Sequence, residues 1–203
     1  MTVDPQAFTD TLITRRSIRR YENRPIPRHL INQLLETAIW APSAHNRQPW
    51  RFAVITQFDT KHHLATTMGN KLRRDLTADN VPEAVIAKDV NRSYERITLA
   101  PALVLVSLSM ADMDVYSDSR RNANEHMMAV QSTAMAAQNL LLAAHAHGLG
   151  ACWMCAPLFV PDLVRETLAL PADWQPQALI TMGYPAQTRS KTRRPVSASV
   201  IYL

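Results

Sequence analysis

The stretch Ala41-Pro42-Ser43-Ala44-His45-Asn46-Arg47-Gln48-Pro49-Trp50 runs directly into Arg51-Phe52-Ala53-Val54-Ile55-Thr56. Two prolines bracket a polar run, and a short apolar segment of β-formers follows. Proline fixes its own φ and pushes the preceding residue out of the helical region, so Ala41 and Gln48 are both expected to be extended. Upstream, Leu30, Ile31, Leu34, Leu35, Ala38 and Ile39 form an i, i+3, i+4, i+7 stripe behind Pro27, which predicts a helix. The order is therefore helix, stiffened loop, strand, and ordered loops on a rigid scaffold are where sites tend to lie. Ser43 after a proline has a local backbone hydrogen bond as its default role, and His45 that of a hydrogen-bonded loop histidine.

Working outward, Pro5–Thr14 reads as a short helix through Phe8, Leu12 and Ile13. Residues 59–96 are charged and helix-prone, an excursion of two or three helices over the site. Ala102–Leu108 is an unbroken apolar run of strand length, expected to be buried on both faces and central in a sheet. Asp112–Asn124 reads as a polar loop. Glu125–Gly148 is a long Ala-, Met- and Leu-rich helix ending at a glycine cap. Nearly apolar all round, it fits a core or subunit-interface position, and polar residues spread along it argue against a membrane span. Ala151–Cys155 reads as a strand, Pro161–Leu168 as a helix, Ala178–Met182 as a strand and Val200–Leu203 as a possible last one. Strands separated by helices around one long helix predict an α+β domain.

With 203 residues and 47% hydrophobic content the chain can bury one substantial core, so residues 1–203 are expected to form a single domain. The Met1–Thr14 stretch lacks a basic flank and apolar run, and two cysteines are too few for a disulfide framework; both features predict a cytoplasmic protein. The net charge of +5 is unevenly placed: Arg15 to Arg28 carries +5, Arg189 to Arg194 carries +4, and the rest of the chain is net negative. Two compact basic clusters suit a small anionic ligand held by both ends of the chain better than a nucleic acid.

Only four glycines occur, Gly69, Gly148, Gly150 and Gly183, so there is no GxGxxG and no P-loop, and a bound phosphate must be held by side chains. Cys152-Trp153-Met154-Cys155 has redox-motif spacing but lies in a strand-like run, where residues three apart point to opposite faces; core packing is the expected role of both cysteines. No metal site is expected, since no HExxH or similar spacing exists among the seven histidines. No GxSxG marks a hydrolase.

Taken together, Arg15-Arg16-Ser17-Ile18-Arg19, Pro25-Ile26-Pro27, the Ala41–Phe52 stretch, Gly148-Leu149-Gly150-Ala151-Cys152-Trp153 and Met182-Gly183-Tyr184-Pro185 with the terminal arginines resemble the nitroreductase family of FMN-dependent oxidoreductases. The resemblance implies an α+β fold with a mixed sheet flanked by helices, and a homodimer with the long helix at its interface and two FMN sites built from both subunits. It further implies that Arg15, Arg16, Ser17 and Arg19 hold the FMN phosphate and ribityl chain, with Arg193 and Arg194 closing on the same phosphate. Pro42, Ser43, Ala44, His45, Asn46 and Gln48 would line the flavin from the other subunit. Trp153, Met154, Cys155 and Ala156 would face its pyrimidine edge, and Arg96 its carbonyls.

No side chain is expected as a catalytic nucleophile or base, because the flavin carries the hydride chemistry. The implied activity is ping-pong transfer from NADH or NADPH through FMN to a nitroaromatic, quinone or related conjugated acceptor. The closest resemblance is to the nitroreductase-type domain associated with the deazaflavin coenzyme γ-glutamyl ligase, so an FMN-dependent reductase of that biosynthesis is one alternative. A non-catalytic flavin-binding protein is another.

Overall fold

The computed structural model describes residues 4–203; Met1 to Val3, where the Met1–Thr14 stretch begins, lie outside the described residues. Helix α1 (Pro5–Thr14) starts on Asp4, whose carboxylate accepts from the Gln6 amide at 3.0 Å, and α2 (Arg28–Ala38) starts behind Pro27. Strand β1 (Trp50–Ile55) follows the bracketed loop. The excursion is two helices, α3 (Phe58–Ala78) and α4 (Glu83–Thr98), parted at Pro82. They lie close enough that a Cβ on Gly69 would sit 3.3 Å from Val90. Then come β2 (Ala102–Ser109), α5 (Ser119–Ala146), β3 (Gly150–Met154), α6 (Pro161–Thr167) and β4 (Trp174–Gly183).

The four strands pair antiparallel in the order β1-β2-β4-β3. All eight residues of β2 are buried, as its apolar run predicts, and their period of two sorts the core into halves. Val104 and Val106 pack with Ile180 and Met182 against α2 and α5 through Leu34, Ala137 and Leu140. Leu103 and Leu105 pack with Leu179 against α3, α4 and α6 through Leu64, Ile97 and Val164. Each such side chain withdrawn from water contributes about 1.5–3 kcal/mol, so this double-sided strand anchors a helix–sheet–helix sandwich.

Three expectations are corrected. Helix α5 begins at Ser119, inside the stretch read as loop, because Asp118 caps it by accepting from the Arg121 amide at 2.9 Å. Strand β4 begins at Trp174, earlier than Ala178; Pro176 is accommodated where the register with β2 slips between Val106 and Ser107, beyond the reach of β3. Val200–Leu203 is not a strand: it pairs with no described segment and is exposed. The end of α5 matches expectation, with Gly148 at φ 73 and the Leu149 amide donating back to Ala144.

Candidate functional site

The arginine segment after α1 lies along the free edge of β3. Ser17 bridges Ala151 in parallel, the Ile18 amide donates to the Ala151 carbonyl at 3.0 Å, and the Ala186 amide donates to the Arg20 carbonyl at 3.0 Å. Tyr21 pins the far end: its hydroxyl sits 2.6 Å from the Ile18 carbonyl and 2.7 Å from the Thr181 hydroxyl. Such an approach requires glycine at two places. A Cβ on Gly150 would meet Ile18 Cβ at 2.7 Å, and one on Gly183 would meet Pro101 and the Tyr21 Cβ.

With its backbone fixed and Ile18 buried, the segment offers four of its other side chains to a cavity of about 240 Å³. Arg15, Arg16, Ser17 and Arg19 line it from one side; Arg189, Lys191 and Arg193, exposed on the chain beyond β4, line it from the other. No carboxylate lines it, and none of its cations makes an ion pair among the described residues. Burial, and then the charges of Arg193 and Arg16, push the Arg15 guanidinium below its usual range. His145, 2.9 Å from the Thr14 hydroxyl, is likewise lowered by burial and by Arg15 and Arg16. The Arg16 Nε is buried without a partner. Like charges gathered without a counter-charge are what an anion would relieve.

Arg19 also borders a second cavity, of about 400 Å³, floored by the end of β3. Cys152, Trp153, Met154, Cys155 and Ala156 form that floor, and α4 contributes Asp89, Arg92, Ser93 and Arg96. Burial lowers the Arg96 pKa, followed by the charges of Arg19 and Arg92. The two cysteines are free and differ: Cys152 is buried, its thiol pushed up by burial, whereas Cys155 is exposed and accepts from the Trp153 indole at 3.1 Å. Core packing therefore holds for Cys152 and is corrected for Cys155, which lies past the last strand residue. Among the described residues no group of ligands suited to a metal occurs.

The 41–50 loop stands apart. Pro42, Ser43, Ala44, His45, Asn46 and Gln48 line neither cavity; the loop rests on α5 through the Ala44 amide, which donates to Ser132 Oγ at 3.2 Å. Ser43 has the expected local role, its hydroxyl accepting from the Gln48 amide at 3.0 Å. Gln48 is not extended: its φ is 49°, and His45 and Asn46 are left-handed at 49° and 54°. The turn closed by Ser43 overrides the pre-proline preference. His45 is exposed rather than held as an ordinary loop histidine.

Arg15, Arg16, Ser17, Arg19 and Arg193 thus meet in one cavity, and Arg19, Arg96, Trp153, Met154, Cys155 and Ala156 in the next. Arg194 is exposed and lines neither. Sequence reading did not place Arg92 at the site, and it set Arg189 and Lys191 there only as members of the 189–194 basic cluster, without a role of their own. A signal existed for each: Arg92 is one helical turn before Arg96, and residues 189, 191 and 193 share one side of an extended chain.

Fold and cavities define a class, an α+β protein with a cationic cleft adjoining a second pocket floored by the end of β3. The profile of the Nitroreductase family matches residues 12–184, and the chain belongs to that family of oxidoreductases. A protein from Desulfovibrio desulfuricans assigned as a nitroreductase, solved in complex with FMN, superposes with a TM-score of 0.76 at 30% identity, covering 100% of this chain and 98% of that one. An NADH dehydrogenase from Thermus thermophilus is 28% identical over 86% of this chain and 85% of its own length. A Methanothermobacter thermautotrophicus protein assigned as an NADH dehydrogenase/NAD(P)H nitroreductase is 28% identical over 88% of this chain and 77% of its own length.

Proposed function

We propose that the chain is a single FMN-binding domain that oxidises NADH or NADPH and reduces a nitroaromatic, quinone or related conjugated acceptor. The observation that carries this reading is the pair of adjoining cavities sharing Arg19, one cationic without counter-charge and one floored by β3. An FMN phosphate brings roughly −1.5 to −2 charge, which fits the unpaired cluster and the orphaned Arg16 Nε. Arg15, Arg16, Ser17, Arg19 and Arg193 would hold it, with Arg194 nearby in sequence, while Arg96 and the Trp153–Ala156 floor would meet the ring. When bound, FMN would supply the two-electron chemistry linking donor and acceptor in a ping-pong cycle. The residues of the chain bind, orient and exclude water.

The second half of the ring site would come from another copy through Pro42–Asn46 and Gln48. Several features support a homodimer. Met127 and Met135 are exposed on α5, and the outer edge of β1 pairs with no described strand. The β-prone tail Ile201-Tyr202-Leu203 also lies bare, which suits such an edge on a second copy. No described helix is long and apolar enough to cross a membrane, and free thiols suit a cytoplasmic setting.

Purified protein is expected to be yellow, to bleach anaerobically with NADH or NADPH, and to regain colour with a nitroarene or quinone. Colourless protein that takes up no FMN overturns the proposal. Uptake without bleaching by either nucleotide leaves a flavin-binding protein, or a reductase with a specialised donor such as a deazaflavin pathway would supply.

A further inference from the structure

FMN has one phosphate, and the cluster around Arg15 and Arg193 suffices for it. A further basic cavity remains. It measures about 470 Å³ and lies between the arginine segment, α4 and the chain leaving β4. Five arginines border it, Arg19, Arg20, Arg92, Arg96 and Arg189, against one carboxylate, Glu95. Arg92 is partly committed to Asp89 at 2.7 Å; Arg20 makes no side-chain hydrogen bond or ion pair among the described residues. The side-chain amide of Gln187, which also borders this space, has its nitrogen buried and unpartnered.

Arg19, Arg92 and Arg96 border both this cavity and the one floored by β3. A donor whose ring stacks on a flavin held over Met154–Ala156 therefore has a cationic space one arginine away for its charged end. A neutral conjugated acceptor has no charge to place there, and a single carboxylate would leave most of the guanidinium groups unanswered. With no glycine-rich loop in the chain, a pyrophosphate has only side chains to hold it.

We propose that this cavity binds the pyrophosphate of the reduced nicotinamide nucleotide, with Arg20 and Arg92 as its principal contacts and Glu95 as an opposing charge that limits affinity. The inference rests on the FMN reading above. It makes Arg20 a donor-specificity residue with no part in flavin binding.

The test uses FMN-loaded protein, in which the phosphate cluster is already filled. Calorimetric titration with inorganic pyrophosphate is expected to show binding that weakens with added salt, falls about tenfold in Arg20→Ala and rises severalfold in Glu95→Gln. In steady-state assays Arg20→Ala is expected to raise the KM for NADH or NADPH about tenfold. The KM for an N-alkyl dihydronicotinamide lacking phosphates stays unchanged, as does FMN content.

Pyrophosphate affinity indifferent to both substitutions overturns the assignment. So does a KM that rises equally for intact and truncated donors, or a shift confined to a carboxylate-bearing acceptor. These results are separable from failure of the function reading: protein that still bleaches while ignoring Arg20→Ala overturns the cavity alone, whereas protein that bleaches with no nicotinamide removes the donor altogether.

Discussion

Arg15 to Tyr21 and Ala41 to Trp50 are both polar stretches that follow a helix, yet they are built in opposite ways. The first is fixed by its main chain, stitched to β3 and to the chain beyond β4, and leaves its guanidinium groups without carboxylate partners. In the second the arginine is already spent, Arg47 on Asp114, as is Arg51 just beyond it on Asp112, while the backbone carries three left-handed non-glycine residues. One region stores unanswered charge on a relaxed backbone, and the other stores strain on a neutralised surface. Unanswered charge marks a place for an anion; strain held by local hydrogen bonds marks a shape kept for something that packs on it.

The largest effect that tests this contrast is Arg15→Ala. Removing one charge-assisted contact from the cluster is expected to weaken FMN binding by roughly 100-fold, leaving the proposed dimer intact by size exclusion. The matching change in the loop, Arg47→Ala, is expected to leave flavin content unaltered because Asp114 already holds that charge. Full FMN occupancy in Arg15→Ala would dissolve the distinction between the regions.

A smaller effect is expected from Gly150→Ala. The new Cβ would meet Ile18 Cβ at 2.7 Å, an atom fixed to the backbone that has no rotamer of escape. Denaturant unfolding should report a loss of about 1–3 kcal/mol, and flavin content should fall with it because the arginines move as one piece. Stability lost with flavin content intact would show that main-chain stitching does not position the cluster.

The smallest is Gln48→Gly, which removes the left-handed penalty at φ 49°. A gain of up to about 1 kcal/mol is expected, partly offset by the backbone freedom of glycine, with a slight rise in Tm. Unchanged or lowered Tm would mean that the Ser43 hydrogen bond already compensates the strain.

Much of the fold was legible because its signals are local. The stripe behind Pro27, the apolar run of β2 and the glycine stop after α5 each depend on residues within a few positions of one another. The start of α5 was not legible, since Ser119–Asn124 carry no apolar stripe and helical order there depends on the Asp118 cap. Val200–Leu203 has strand composition, but a strand needs an edge to pair with, and no described edge takes it. The proline rule misjudged Gln48, whose φ follows the turn closed by Ser43.

By itself the sequence determined the order of elements, the two basic clusters with no glycine-rich loop to serve in their place, and a pattern specific to one family. Only the tertiary structure decided that Arg19 stands at the junction of three cavities and that Arg92 and Arg189 join it there. It also decided that Cys152 and Cys155 part company and that the 41–50 loop stays outside all three. The physical reason is distance along the chain: periodicity and capping are properties of neighbours, whereas a cavity is made by residues as far apart as Arg15 and Arg193, which meet only because the sheet brings β3 and the end of β4 to one edge.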